Sequence, residues 1–211
     1  MKLFPVILLG VLGACASSDS AEVHGKGVLA FDREPPAGAR LFECPSWTEG
    51  DQFIYLRGGM LRLPLRVWAG EDGGFVLENE DNGVKTLLSA DLNLTGLEEP
   101  GEPMAQRSDP AETWLHWPLW VGKRWSCNFV NRRPGQPPLP LVITYHCDAI
   151  ETIDVPAGKF ECLRIWRRAR VASKRKYLER TSILWYAPQV GYFARRLENG
   201  TLLELEQFHR Q

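Results

Sequence analysis

From Leu41 onward, apolar residues occur in short runs that alternate with polar residues and are separated by turn residues. Trp125, Cys127 and Phe129 alternate with polar neighbours, and the same alternation occupies 141–148. Glycine- and asparagine-rich turn sequences at 71–74, 81–83 and 199–200 separate such runs. Side chains of a strand point alternately to the two faces of a sheet, so this period of two predicts antiparallel strands joined by hairpins. We predict an all-β fold, a curved antiparallel sheet, half-barrel or sandwich with at most one or two short helices.

One segment carries the signature of a helix start. Asp109 is a capping residue, Pro110 suits the first helical position, and Pro118 limits the helix to one or two turns. The segment before Asp109 is rich in proline and glycine and admits a subdivision of the domain near residue 105. The first half has few large apolar residues with which to close its own core, so we predict a single domain over 41–211.

The first fourteen residues, 1–14, have the pattern of an export signal. A positive start precedes an apolar run over 3–12, which is too short to remain as a membrane-spanning helix. The run ends in Leu12-Gly13-Ala14-Cys15, which resembles the lipobox of bacterial lipoproteins. The resemblance implies a signal peptide and acylation of Cys15. The alternative is a soluble export signal followed by a chance cysteine.

The residue after Cys15 bears on the destination of the protein. Ala16 stands where an aspartate, in familiar Gram-negative lipoproteins, implies retention in the inner membrane. The resemblance therefore implies an outer-membrane anchor. Residues 15–40 contain small polar residues and Pro35-Pro36, so we predict a lipidated flexible tether that attaches the domain to the membrane.

Three further motifs lie within 114–196. They read W-P-L-W-V-G-K-R-W at 117–125, V-P-A-G-K-F-E-C at 155–162 and W-Y-A-P-Q-V-G-Y at 185–192. Their order resembles a group of exported bacterial proteins and lipoproteins of uncharacterised function. The resemblance implies an antiparallel β fold curved around a hydrophobic interior and supplies no catalytic residue. The prolines and glycines of the second and third motifs fit tight turns at 156–158 and 188–191.

Composition excludes several classes of protein. The chain has 211 residues, of which 44% are hydrophobic and 24% charged, as in ordinary globular proteins and unlike disordered or collagenous ones. A formal net charge of −1 gives no general attraction to nucleic acid, so we expect no nucleic-acid partner. Four of the eight tryptophans lie close together at 114, 117, 120 and 125, and we interpret them as core in preference to a ligand groove.

The remaining cysteines are candidates for disulfides, because export places them in an oxidising compartment. Cys127 and Cys147 lie symmetrically about the 134–140 loop on the apolar faces of successive strands. We favour Cys127–Cys147 among the three pairings, which leaves Cys44–Cys162. A zinc site is the competing interpretation, but its closely spaced ligand pairs are missing from the sequence.

No motif for catalysis, a metal or a cofactor is recognisable. The sequence lacks a nucleophile elbow, a zinc-protease motif and a phosphate loop, and its histidines, His24, His116, His146 and His209, are scattered. We therefore predict a protein that is not an enzyme and needs no cofactor or metal.

Charge is distributed unequally along the chain. Residues 16–112 carry 18 acidic and 8 basic side chains, whereas residues 113–211 carry 16 basic and 8 acidic ones. One interpretation is that the opposite net charges of the two halves attract each other within one domain. The other is a surface patch for an anionic envelope component or lipid headgroups. Its residues would be Arg167, Arg168, Arg170, Lys174, Arg175, Lys176 and Arg180.

These observations give three hypotheses. The first is an outer-membrane-anchored lipoprotein facing the periplasm, a non-enzymatic binding or envelope-assembly module with an anionic or protein partner. The second is a periplasmic carrier or sensor with an apolar pocket inside a curved β sheet. The third is an unrecognised hydrolase. An open cavity would favour the carrier, a filled core with a basic ridge the module, and converging Asp, His and Ser side chains the enzyme.

Overall fold

The alternating segments of the sequence form antiparallel strands. The computed structural model describes residues 25–171 and 179–211. Within these residues the strands are β1 (Gly27–Ala30), β2 (Gln52–Arg57), β3 (Leu61–Ala69), β4 (Phe75–Asn79), β5 (Lys85–Leu88), β6 (Leu94–Glu99), β7 (Glu102–Glu112), β8 (Arg124–Arg132), β9 (Leu139–Val155), β10 (Gly158–Val171), β11 (Glu179–Ala187), β12 (Tyr192–Glu198) and β13 (Thr201–His209). Glu71–Gly73 forms a single 3₁₀ turn between β3 and β4.

The sheet closes into a barrel in which neighbours in sequence are neighbours in space. Each strand from β2 to β12 pairs antiparallel with the next strand, and β13 pairs with β2. Twelve strands thus form a closed up-and-down barrel, and β1 is added to β8. The prediction of an all-β antiparallel fold is confirmed, and closure removes the free edges that a half-barrel would leave.

The helix predicted after Asp109 is wrong. Asp109 lies opposite Val130 in the ladder between β7 and β8, and β7 continues to Glu112. Pro110 follows the last residue of β7 that pairs with β8, a position where its missing N–H costs no ladder hydrogen bond. β7 also runs through residue 105 without interruption, so the described chain is not subdivided there. In the described ranges no helix has the length and apolarity needed to cross a membrane.

Part of the segment predicted as a tether, 15–40, forms a strand. Gly27–Ala30 forms β1, which pairs with β8 from Asn128 to Trp125. β7 leaves β8 beyond Asp109, and β1 pairs with the remainder of that edge of β8. The apolar run 28–30 is too short to indicate a strand by itself, and its pairing is supplied by the vacant edge of β8.

Ion pairs explain the unequal charge of the two halves. Acidic side chains of the first half bind arginines of the second, as in the Arg124–Asp32 pair at 2.9 Å and the Arg210–Asp51 pair at 2.7 Å. The reverse arrangement occurs where Arg62 contacts Glu206 at 2.6 Å. The two halves therefore complement each other within one barrel.

Candidate ligand-binding site

The two ends of the barrel differ. Turns alternate between the ends because consecutive strands are antiparallel, and segments 41–51 and 113–123 cover one end. Phe42 and Leu119 join these segments through two backbone hydrogen bonds of 2.8 Å, and both side chains are buried together with Leu115. We call this the closed end. The opposite end, where the turns β6–β7, β8–β9 and β12–β13 lie, is called the mouth.

All three motifs of the family resemblance contribute to the closed end. The turns predicted at 156–158 and 188–191 are confirmed and join β9 to β10 and β11 to β12. In the first motif, Lys123 is buried above the Trp120 ring at 4.3 Å, and its ammonium donates hydrogen bonds to the carbonyls of His116 and Pro118. Burial lowers the pKa of Lys123 to about 8. These motifs therefore close the barrel.

A cavity of about 540 Å³ occupies the barrel interior on the mouth side. Its lining combines an apolar wall with charged and polar side chains. The apolar members are Leu94, Leu97, Trp114, Leu139, Leu141, Ala169 and Val171. The polar and charged members are Gln106, Glu112, Asn131, Arg167, Arg170, Arg180, Ser182, Arg196, Glu198 and Asn199.

Strand register brings the polar lining together. Tyr145 lies opposite Arg167, Arg167 opposite Ser182, and Ser182 opposite Glu198. These four residues of β9 to β12 thus form one cross-strand row, and Tyr145 is also stacked on Trp125 of β8 with ring centroids 4.9 Å apart. The row marks the level at which the filled part of the barrel gives way to the cavity.

A buried ion pair joins Arg167 of this row to Glu112 at the end of β7. The Glu112 Oε1 atom accepts hydrogen bonds from Arg167 Nη2 at 2.7 Å, Arg167 Nε at 2.9 Å and the Tyr145 hydroxyl at 2.7 Å. Burial alone lowers the pKa of Arg167, but Tyr145 and Glu112 raise it above its ordinary value. Burial, reinforced by Glu112, raises the pKa of Tyr145 well above its ordinary value. At neutral pH the arginine is charged and the tyrosine is neutral.

A second ion pair lies beside an aromatic ring. Arg196 Nη2 donates to Glu198 Oε2 at 2.8 Å, and the guanidinium lies 5.0 Å from the centroid of Trp114. Burial raises the pKa of Glu198, but the charge and hydrogen bond of Arg196 hold it below its ordinary value. Among the described residues, Arg196 Nε and Trp114 Nε1 are buried without a hydrogen-bond partner. Both side chains line the cavity, so its wall includes two donors that its own carboxylates do not use.

A groove of similar size, about 550 Å³, lies on the outer surface. Phe31 and Trp166 are exposed there beside two arginines. Arg124 is paired with Asp32 at 2.9 Å, and Arg168 with Glu179 at 3.0 Å. Exposed pairs of this kind are neutralised locally and screened by solvent. The interior cavity is the better candidate for a binding site, because the side chains of its inner ion pairs, Arg167–Glu112 and Arg196–Glu198, are largely removed from water.

The predicted basic patch is not one surface. Arg167 points into the barrel, so its assignment to an exposed patch is wrong; the Glu112 carboxylate offsets the cost of burying its charge. Arg168 and Arg170 both contact Glu179, and Arg180 lines the mouth of the cavity. The other three members, Lys174, Arg175 and Lys176, lie outside the described residues, as does Cys15.

The predicted disulfides are not present in the structure. Cys44, Cys127, Cys147 and Cys162 are free. The register of β8 and β9 places Cys127 opposite Ile143. The backbone N–H of Cys147 donates a hydrogen bond to the carbonyl of Lys123. The two cysteines are therefore not cross-strand partners. Burial raises the pKa of Cys127 and Cys162 to about 12 and that of Cys44 to about 11. Such thiols are protonated and react slowly.

Sequence reasoning missed the residues that define the cavity. Glu112 was assigned to a helix, and Arg196 and Glu198 were read as part of an ordinary hairpin. The strand alternation contains a signal. Arg196 and Glu198 lie two and four positions after the buried Ala194, so the two charged side chains lie on the same face of the strand as this apolar residue. Trp114, interpreted as core, is buried but also lines the cavity.

Part of this site lies in a segment with a recognised family description. A family model described as DUF3108-like matches residues 142–197, from within β9 to β12. The matched segment contains Tyr145, Arg167, Ser182 and Arg196, four of the residues discussed above. No curated protein sequence matches the chain.

Three solved structures superpose on part of this chain at low sequence identity. A hypothetical lipoprotein of Escherichia coli (K12), YmcC, superposes with a TM-score of 0.48 at 10% identity and covers 79% of this chain and 89% of its own. A candidate exported protein of Bacteroides fragilis with a YmcC-like fold gives 0.43 at 14% identity, covering 81% and 100%. A candidate lipoprotein of Parabacteroides distasonis gives 0.46 at 11% identity, also covering 81% and 100%.

Proposed function

We propose that this protein is a lipoprotein of the outer membrane, acylated at Cys15 and facing the periplasm, whose barrel is a non-enzymatic binding module. The Leu12–Cys15 sequence and Ala16 support the anchor and its destination. The descriptions of the similar structures as lipoproteins or exported proteins agree with a location in the cell envelope. Several acyl chains together hold a protein on a bilayer, because each buried CH₂ contributes about 0.8 kcal/mol.

The half-open cavity is the observation that supports binding. Its volume of about 540 Å³ falls within the range of roughly 300–1,000 Å³ that small-molecule sites occupy. A cavity of this kind favours the carrier or sensor hypothesis over a module that binds only through its surface. Because the lining is partly apolar and partly polar, we infer that the ligand also has a polar part and an apolar part.

The arrangement of polar groups favours binding over catalysis. Within the described part of the chain, the lining includes Ser182 but no histidine, cysteine or aspartate. Glu112 is engaged by three hydrogen bonds and is therefore not placed as a base for Ser182. Ion pairs of this type hold charged side chains in fixed positions, which suits recognition of a ligand.

Native mass spectrometry of the protein extracted from envelopes in mild detergent tests the binding function. We expect a small-molecule adduct that Ala169→Phe abolishes, because Ala169 lines the cavity and a larger side chain fills it. Thr181→Phe is the matched control, since Thr181 lines the outer groove. An adduct that survives Ala169→Phe and is lost with Thr181→Phe would contradict the proposal.

The anchor is tested separately by Cys15→Ser. We expect the variant to lose its acyl chains and to leave the membrane fraction without detergent. Attachment of the variant that still requires detergent for release would contradict acylation at Cys15.

A further inference from the structure

Two buried hydrogen-bond donors of the cavity wall indicate a ligand with an acidic group. Trp114 is only 9% exposed and its Nε1 atom has no partner in the described structure. Arg196 Nε is likewise unpartnered, and the guanidinium packs on the same indole ring. A buried donor without a partner is destabilising. Both side chains line the cavity, so an acidic ligand group beside them would supply the acceptors that these donors lack.

The charge of the lining favours an anion over a cation. Four arginines and two glutamates line the cavity. Glu179 contacts Arg170 at the mouth at 3.1 Å, and even with this carboxylate included the arginines are in excess. Interactions of Arg196 with Glu198 and Tyr192 keep its pKa above the ordinary value despite burial, so the guanidinium stays charged at any physiological pH.

The remaining wall of the cavity is apolar. It consists of side chains from β6, β9 and β10: Leu94, Leu97, Leu139, Leu141, Ala169 and Val171. Val171 lies opposite Leu141 in the β9–β10 ladder, so the apolar side chains adjoin one another toward the mouth. Such a wall has no hydrogen-bonding groups to offer and accommodates a hydrocarbon chain.

We propose that the cavity binds an amphiphile with an acidic head group, which the Arg196 guanidinium and the Trp114 indole N–H hold while its hydrocarbon tail lies along the apolar wall toward the mouth. This proposal rests on the binding function proposed above and names the chemical class of the ligand. A carboxylate and a phosphate share the chemistry that these donors recognise, so a fatty acid and a phosphate-bearing lipid are both sources of such a group.

Calorimetry with three matched probes tests the head group. Decanoate, decyl phosphate and uncharged decanol each have a chain of ten carbon atoms, one of which is the carboxylate carbon in decanoate. The full chain carries Cys15→Ser in every measurement, so that neither acyl chains nor detergent compete. We expect at least one acidic probe to bind about tenfold or more tightly than decanol, because one charge-assisted hydrogen bond exceeds a neutral one by about fivefold and the acidic head group accepts more than one. A preference between the two acids separates the two sources.

Arg196→Gln and its control locate the head group. We expect Arg196→Gln to weaken binding of the preferred acid about tenfold or more and to leave decanol unchanged. The control is Arg66→Gln, because Arg66 also packs on a tryptophan, Trp68, at 5.6 Å and contacts a glutamate, Glu80, at 3.0 Å, but lies away from the cavity. Trp114→Phe, which retains a ring and loses the N–H, serves as a second variant if Arg196→Gln does not fold.

The outcomes separate this proposal from the binding function. Equal affinity for decanol and both acids, abolished by Ala169→Phe, would overturn the acidic head group and retain the binding cavity. Unchanged acid binding in both Arg196→Gln and Trp114→Phe would overturn the assignment of the two donors. Absence of binding by all three probes, with no adduct in native mass spectrometry, would overturn both proposals.

Discussion

Replacing Glu112 by glutamine removes the counter-charge of a buried arginine while preserving the shape of the side chain. The Glu112 Oε1 atom accepts three hydrogen bonds, two from Arg167 and one from Tyr145, and the carboxylate is only 5% exposed. Glutamine keeps an acceptor oxygen for these bonds but removes the counter-charge of Arg167. We therefore expect a loss of about 3 kcal/mol, at the lower end of the roughly 3–5 kcal/mol found when one partner of a buried ion pair is removed.

Urea unfolding followed by tryptophan fluorescence measures this loss. For a chain of this size, about 3 kcal/mol corresponds to a fall in melting temperature of roughly 6–12 °C. Asp154→Asn is the control, because Asp154 pairs with Lys159 at 3.4 Å on the surface, where the side chains are 76% and 66% exposed. An exposed pair contributes about 0–1 kcal/mol. Equal small losses in Glu112→Gln and Asp154→Asn would refute the argument that the interior pair is shielded from water.

Three further predictions concern the closed end and the thiols. In the folded protein, maleimide should modify half-buried Cys44 before the three buried cysteines, and all four should react after unfolding; mass spectrometry that finds no free thiols would contradict the free state of these residues. Burial, and after it the charge of Lys123, lower the pKa of His116 in the folded protein below its ordinary 6.5. Below that pH the unfolded chain therefore binds a proton that the folded chain does not bind. The free energy of unfolding falls as the pH falls. His116→Asn should reduce that acid sensitivity in urea unfolding between neutral pH and about pH 5, and an unchanged pH dependence would contradict it. Lys123→Met should lower stability by about 2–4 kcal/mol, because the carbonyls of His116 and Pro118 lose their donor, whereas a thermal melt equal to that of wild type would show that these bonds contribute little.

The strands could be predicted because their signal is local. Alternation around Trp125 and Tyr145 and the turn residues at 199–200 act over a few positions, so these hairpins can be predicted from their own sequence. The segment before Asp109, rich in proline and glycine, has no such alternation although it forms the β6–β7 hairpin. Closure of the barrel was not predictable in this way, because it depends on the pairing of β13 with β2, which are separated by most of the chain. The same limitation explains β1, whose partner strand lies about a hundred positions later.

The candidate site was hidden for a related reason. Glu112, Arg167 and Arg196 are each unremarkable in their own segments, and only the register places them around one cavity. The pairing favoured for Cys127 and Cys147 depends on symmetry about a loop, which does not fix the register; here the register offsets Cys127 from Cys147. Arg167 was assigned to the surface because its buried partner comes from a strand that was predicted as a helix.

The direction of β1 determines which way the barrel faces when its N-terminus is held. β1 runs from opposite Asn128 to opposite Trp125, so it is directed toward the closed end and its first residue lies nearer the mouth. Nine residues separate Cys15 from Gly25, and a fully extended chain of that length reaches about 35 Å. If Cys15 is acylated as proposed, the beginning of β1 stays within about that distance of the bilayer. The opening of the cavity would then lie within reach of molecules that leave the lipid.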